Sequence, residues 1–372
     1  MTANPLAGDL NHILEHTGGL WEELRGKRIF ITGGTGFFGC WLLESFLWAN
    51  ARLGLEAEAV VLSRDPEAFA QKVPHLARHP AISLHQGDIR SFSFPGGHFS
   101  HVIHAATESS VKLMKAEDPL STVDAIVGGT RRALDFALQC GAKKFLLTSS
   151  GAVYGKQPSG LTHIPEDYNG APDPMDTGAA YGNGKRLAEH LCALYAKQHG
   201  LETKIARCFA FVGPYQPLDA HFAIGNFIGN ALLGQPVIIK GDGTPYRSYL
   251  YATDLIVWLL TILISGEPMR PYHVGSDVPV SIAELARLVA RLPDSPVPVQ
   301  ILGTPKPETL PERYIPETRL TQASLGLQIT VGIEEALRRT WAFHAASSKQ
   351  PLPKAPCETS KIVHRATAPH RC

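Results

Sequence analysis

Four glycines fall within seven residues of "FITGGTGFFGCWLLESF", Phe30 to Phe46, between an apolar β-favouring run and an apolar run at helical spacing. Glycine costs backbone entropy, so this density marks a place where the chain turns sharply or is closely approached. "KRIFIT" before the cluster predicts a strand, and Trp41, Leu42, Ser45 and Phe46 after it predict a helix. Gly34, Gly36 and Gly39 fit G-x-G-x-x-G, and Gly33 adds a G-x-x-G-x-x-G frame. Such a loop lets the backbone approach a pyrophosphate, which the N-terminus of the following helix holds through its N–H groups and dipole. An ordinary glycine-rich turn is the alternative. The flanking strand and helix favour dinucleotide binding.

Strand and helix signals then alternate. "AEAVVLS", "AISLHQGD", "HVIHAAT", "KKFLLTSS" and "ETKIARCFAFVGP" read as strands, with long helices in "DPLSTVDAIVGGTRRALDFALQCG" and "AAYGNGKRLAEHLCALYAKQHG". Short apolar strands separated by helices predict βαβ units and a doubly wound parallel sheet of Rossmann type. The expected organisation is an N-terminal helical extension over 1–25, the dinucleotide-binding domain over 26–212, and a smaller C-terminal α/β substrate-binding lobe over 213–345. Some segments of that lobe return to the first domain, and 346–372 read as a disordered tail.

A chain of 372 residues with a formal net charge of +1 is long enough for one large domain or two smaller ones. No basic run is interleaved with aromatics, which argues against nucleic acid. "LIVWLLTILI" is too short to span a bilayer and reads as a buried helix, so no membrane association is expected. The six cysteines are scattered without C-x-x-C spacing, and no secretory signal is apparent; free thiols in the cytoplasm are the expectation. The histidines form no ligand cluster, and no metal is expected.

At the end of the second strand, where NAD-binding units carry an acidic residue for the ribose, the chain reads Ser63-Arg64. A hydroxyl followed by a guanidinium suits a 2′-phosphate and favours NADP over NAD; the alternative leaves Arg64 in solvent and gives the ribose to Asp65. Asp88 after the third strand suits the adenine edge, and Ala105 and Ala106 are small enough to pass close to the cofactor. "YGNGK" places Tyr181 and Lys185 on one face of a helix. The ammonium favours ionisation of the phenol, which a tyrosine general base needs. Ser149 and Ser150 end the fifth strand, on the edge where such sheets bind ligands. Arg247, in "PYRSY" after a GDG turn, suits a diphosphate; a surface ion pair is the alternative.

With these residues in order, the chain from about Gly26 to Phe343 resembles the extended short-chain dehydrogenases/reductases, in their nucleotide-sugar epimerase/dehydratase group. The resemblance rests on "TGGTGFFG", "GDIR", "HAAT", "SSGAVYG", "YGNGK", "RCFAFVGP", "GNFIGNAL", "GDGTPYRSYLYATDL" and "YHVGS". It implies Ser150, Tyr181 and Lys185 as the catalytic set. It implies cofactor contacts at Gly33, Gly36, Phe37, Phe38, Gly39, Ser63, Arg64, Asp88, Ile89, Ala105, Ala106, Thr107, Thr148 and Phe209, besides Tyr181 and Lys185. It implies a nucleotide-diphosphate sugar held by Glu108, Ser150, Gly151, Asn226 and Arg247, and a homodimer.

Several positions depart from the pattern. Gly151 and Ala152 stand where the 4,6-dehydratases of the family carry an Asp-Glu pair, and the decarboxylases usually have Glu where Ala152 stands. Ala210 and Ile126 replace asparagines, and Gly184 replaces a common serine. The redox set is intact, and the auxiliary carboxylates are missing. An epimerase is therefore the expectation, with an NADPH-dependent 4-ketoreductase as its alternative. A dehydratase using Glu108, a decarboxylase and a non-catalytic dinucleotide sensor are less favoured.

Overall fold

The computed structural model describes residues 4–106, 118–218, 222–305, 308 and 310–348. Thr107, Glu108 and residues 349–372 of the expected tail therefore lie outside the described residues.

Six strands form in chain order: β1 (Arg28–Thr32), β2 (Glu58–Ser63), β3 (Ile82–Gln86), β4 (His101–His104), β5 (Lys144–Ser150) and β6 (Glu202–Cys208). With strand Pro271–Val274 they make a seven-stranded sheet in the order Pro271–Val274, β6, β5, β4, β1, β2, β3. Every pairing in it is parallel. The strand order reverses between β1 and β4, so a crevice opens beyond their carboxyl ends.

Both faces of the sheet are covered, which explains strands that read as apolar runs. Ile29, Ile31, Val61, Ile103 and Leu146 pack on one side against helices Phe37–Leu53 and Ala252–Ser265. Phe30, Val60, Leu62, Val102, Phe145 and Leu147 pack on the other against helices Gly129–Gln139 and Ala180–His199. Helix Ala252–Ser265 contains the apolar run "LIVWLLTILI" and is buried nearly all round. No helix of the described residues is long and apolar enough to cross a membrane.

The N-terminal segment forms helix Ala7–Thr17 and a 3-10 turn, Gly18–Leu24. It is tied into the body: Tyr251 donates to Asp9 Oδ2 at 2.6 Å, and Arg339 Nη1 donates to Asp9 Oδ1 at 2.7 Å. A third core, with Ile224, Phe227, Val237, Leu285, Val289 and Leu337, belongs to the segments after β6.

The expected strand "ETKIARCFAFVGP" is broken. β6 ends at Cys208, and Phe211–Val212 pairs instead with Leu250–Tyr251. Phe209 N–H still donates to the Val274 carbonyl at 3.0 Å, whereas the Ala210 carbonyl accepts from Leu250 N–H at 3.0 Å. The backbone thus changes partner between adjacent residues and leaves the main sheet.

The expected helix after β4 also has an interruption. Pro119–Val123 and Gly129–Gln139 are α-helical, with a π-helical turn at Asp124–Gly128 between them. Two of the departures meet here: a Cβ on Gly184 would stand 3.3 Å from Ile126 Cδ1. The isoleucine fills the room that a side chain at 184 would take, so the two substitutions are one packing solution.

Candidate active site

The crevice is built on glycines that no other residue could replace. Gly33 has φ +72°, and a Cβ there would stand 2.4 Å from the Ala105 carbonyl oxygen. A Cβ on Gly39 would stand 2.2 Å from Gly34 Cα, so the helix start lies directly on the loop. Gly36, by contrast, is exposed and precedes helix Phe37–Leu53, whose N-cap carries no side-chain hydrogen bond. Its leading N–H groups are open to an anion, which is what a pyrophosphate requires. Phe37 and Phe38 pack below the loop, with Phe38 edge-on to Phe211 at 5.1 Å.

The opposite wall is held by the end of β4. Ala105 N–H donates to the Thr32 carbonyl and Ala106 N–H to Thr32 Oγ1, both at 3.1 Å. Thr32 Oγ1 is 2.7 Å from His104 Nδ1, and His104 Nε2 is 3.1 Å from Thr130 Oγ1. Burial, aided by the Lys185 cation, pushes His104 down to about 3. It is a neutral connector that fixes this loop against the neighbouring helix.

At the end of β2, Ser63 Oγ accepts from Asp65 N–H at 3.2 Å, and Asp65 caps helix Pro66–Lys72 by accepting from Ala68 N–H at 2.9 Å. Arg64 is exposed. Asp88 accepts from Arg90 Nε at 2.7 Å and Nη2 at 3.0 Å, and the hydrogen bonds to Arg90 hold its carboxyl below the usual range. Ile89 lies against Gly129, where a Cβ would stand 2.9 Å from Ile89 Cγ1.

The candidate catalytic residues lie around the end of β5. Ser150 is its last residue, and its Oγ accepts from Ala152 N–H at 3.2 Å. Lys185 is buried; its Nζ donates to the Thr148 carbonyl at 2.8 Å and lies 5.8 Å from the centre of the Tyr181 ring. Burial lowers the Lys185 pKa to about 8. The ammonium is charged below that pH and lost above it, so its support for the Tyr181 phenolate should fade as pH rises past about 8. The rate of alcohol oxidation, followed from pH 6 to 10, should turn over in that region; a rate still climbing at pH 10 would contradict it.

Sequence reasoning missed the layer behind this set. Glu189, on the Lys185 helix, accepts from Ser149 Oγ at 2.6 Å and from Arg207 Nη2 at 2.7 Å. Arg207 Nη1 donates to Tyr154 OH at 2.6 Å, and that hydroxyl donates to His273 Nε2 at 2.6 Å. His273 Nδ1 meets the Glu317 carbonyl at 2.7 Å, which fixes the tautomer. The chain of bonds ties β5, β6 and strand Pro271–Val274 together directly behind Ser150.

Arg247 lies in strand Tyr246–Arg247, between strands Val280–Ser281 and Arg313–Tyr314. It is half-buried, and its Nη1 donates to the Tyr246 carbonyl at 2.8 Å. Among the described residues no carboxylate pairs with it. A half-buried guanidinium without an anion suits an anionic ligand. Asn226 is half-buried on helix Ala223–Leu232. The same strand pairing sets Tyr314 opposite Arg247, and Tyr314 also reaches Gly151. No motif marks Tyr314; it lies in the irregular proline-rich segment "PKPETLPERYIPE". Phe209 does not stand alone either, since its ring lies 4.9 Å from that of Tyr314 and 5.1 Å from that of His273.

A doubly wound sheet with a phosphate-ready loop at its switch point is the architecture of a dinucleotide-binding protein, and Ser150, Tyr181 and Lys185 lie on the same edge at the end of β5. The profile of the NAD dependent epimerase/dehydratase family matches residues 29–275, and the chain belongs to that family. UDP-glucuronic acid decarboxylase 1 of Danio rerio is 30% identical over 341 residues, which span 90% of this chain and 78% of that protein. Among solved structures, the dTDP-glucose 4,6-dehydratase DesIV from Streptomyces venezuelae, with NAD and TYD bound, superposes with a TM-score of 0.71. It is 25% identical, over 86% of this chain and 97% of that one. UDP-glucose 4-epimerase of Thermus thermophilus, in complex with NAD, gives a TM-score of 0.68 at 28% identity, over 85% and 98%. The chain is thus an enzyme of a family that modifies nucleotide sugars.

Proposed function

We propose that the protein oxidises C4 of a nucleoside-diphosphate sugar acid and releases its C5 carboxylate as carbon dioxide. Gly33, Gly36 and Gly39, with the open helix start, would hold the pyrophosphate of NAD or NADP. That cofactor, when bound, supplies the hydride acceptor and donor at C4. Arg247 and Asn226 hold the diphosphate of the sugar nucleotide. Ser150 hydrogen-bonds the C4 oxygen, and Tyr181, backed by Lys185, takes the hydroxyl proton.

The observation that carries this reading is the likeness to UDP-glucuronic acid decarboxylases; the intact Ser150, Tyr181 and Lys185, with no titratable group at residues 151 and 152, argue against dehydration. Dehydration needs a base for the C5 proton and an acid for the departing hydroxyl. Decarboxylation needs neither to begin. Once C4 is a ketone, a carboxylate on C5 is β to it and leaves as carbon dioxide. The bond's electron pair passes into an enolate whose oxygen Ser150 and Tyr181 hold. The likeness to UDP-glucuronic acid decarboxylases supports this outcome over the epimerase that the sequence alone suggested. Epimerisation is the second reading, favoured by the same absence of carboxylates and by the likeness to a UDP-glucose 4-epimerase.

Incubation with NAD or NADP and a panel containing UDP-glucuronic acid, UDP-glucose and dTDP-glucose separates the outcomes. Carbon dioxide and a UDP-pentose from UDP-glucuronic acid are expected. Inversion at C4 of a hexose with no carbon dioxide from any substrate would overturn the decarboxylase reading.

The cofactor's phosphate is a separate matter. With Asp65 engaged as a helix cap, Arg64→Ala should weaken NADP binding more than NAD binding. Equal losses in titration would mean that Arg64 does not read the 2′-phosphate.

Association as a homodimer is supported by Leu187 and Leu194, seven residues apart on one face of helix Ala180–His199 and 45% and 38% exposed. Light scattering at micromolar concentration should give twice the chain mass of 40.3 kDa, and a monomer would reject it.

A further inference from the structure

The space beside Gly151 is already occupied. A Cβ on Gly151 would stand 2.6 Å from the Tyr314 hydroxyl and 2.6 Å from Phe209 Cε1. The Tyr314 ring lies against that of Phe209, and Arg247 is its register partner on the neighbouring strand. The phenol therefore stands between the end of β5 and the arginine that suits the diphosphate. A sugar held by Arg247 at one end and by Ser150 at O4 must cross this gap. Burial above all raises the phenol's pKa, against the opposing influence of the neighbouring Ser150 hydroxyl. Tyr314 thus stays protonated at neutral pH and is available as a donor.

The decarboxylase reading leaves one proton unaccounted for. When carbon dioxide departs, C5 carries the enolate's carbon end and must gain a hydrogen. Residues 151 and 152 cannot give one. C5 is bonded to C4, so a donor that stands beside Gly151, the residue after Ser150, is within reach of a carbon next to C4. We propose, on the basis of that reading, that Tyr314 protonates C5 in place of a carboxylate at residue 151 or 152. The phenol O–H bond breaks and its proton forms the new C5–H bond with the enolate's π pair. The C4 oxygen returns to a ketone, and the phenolate regains a proton from water. A phenol is a stronger acid than a carbon next to a ketone, so the transfer runs downhill.

The test uses the full chain with NAD, or NADP if that is the cofactor accepted, and UDP-glucuronic acid in deuterium oxide. The wild type should place one deuterium at C5 in a single configuration. Tyr314→Phe removes only the hydroxyl and keeps the ring against Phe209. It should slow pentose formation by about 10²-fold or more, the range for losing a general acid. Its residual product should carry deuterium in both C5 configurations, because water then delivers the proton from either side. A variant with wild-type rate and a single C5 configuration would overturn the role of Tyr314 while leaving the decarboxylase reading in place. A wild type that releases no carbon dioxide from UDP-glucuronic acid would overturn both.

Discussion

Tyr181→Phe should abolish turnover and leave dinucleotide binding near that of the wild type. In the proposed mechanism the hydroxyl moves the C4 proton, whereas the ring packs, partly buried, against the core beneath helix Ala180–His199. Phenylalanine retains that packing and the contact of the Lys185 ammonium with the ring face, now 5.8 Å from its centre. What is lost is general acid–base catalysis, worth roughly 10²–10⁴-fold in rate. The loss applies to oxidation and to the return step alike, so no product outcome escapes it. Fluorescence titration with the reduced cofactor and a rate measured with saturating sugar nucleotide separate the two effects. Turnover within a few-fold of the wild type would remove Tyr181 from the mechanism.

The second large effect is on stability. Glu189→Ala should cost about 3–5 kcal/mol, the penalty for leaving one member of a buried ion pair uncompensated. Both partners are well shielded, with side-chain exposures of 10% for Glu189 and 14% for Arg207. The carboxylate takes Arg207 Nε at 3.0 Å, Nη2 at 2.7 Å and the Ser149 hydroxyl at 2.6 Å. Without it the guanidinium keeps only the Tyr154 hydroxyl as a described side-chain partner. Replacing both residues by apolar ones of similar volume should recover much of the loss, because no charge is then stranded. Denaturant unfolding measures each variant. A single-variant loss under about 1 kcal/mol would show that Arg207 finds other compensation, a value nearer that of an exposed pair.

Much of the Rossmann-type fold was legible because its determinants are local. The glycine loop lies within one strand–turn–helix unit, and strands buried on both faces read as apolar runs. Tyr181 and Lys185 are four residues apart on one helix. What escaped depends on contacts distant in sequence. The main sheet takes its seventh strand, Pro271–Val274, from between segments of the lobe that contains Ile224 and Leu285. The break after Cys208 follows from partners at Val274 and Leu250. Gly184 reads in the sequence as a missing serine, yet Ile126 fills its space; Gly151 reads as a missing acid, yet the Tyr314 phenol stands in its place. Neither compensation has a pattern in the chain, since each pairs residues far apart in sequence. The buried Glu189–Arg207 pair likewise joins a helix to a strand, and Arg207 alone, in "IARCF", carries no sign of its partner.

The claim on which the rest depends is that C4 is oxidised and then reduced again within one turnover, without loss of water. UDP-glucuronic acid deuterated at C4 tests it directly, with the product examined by mass spectrometry and proton NMR. The account predicts a UDP-pentose that has lost carbon dioxide, retains the deuterium at C4 and has gained one hydrogen from solvent at C5. A product that has lost the C4 label to free cofactor, or a 4-keto-6-deoxy sugar from UDP-glucose or dTDP-glucose, would contradict it.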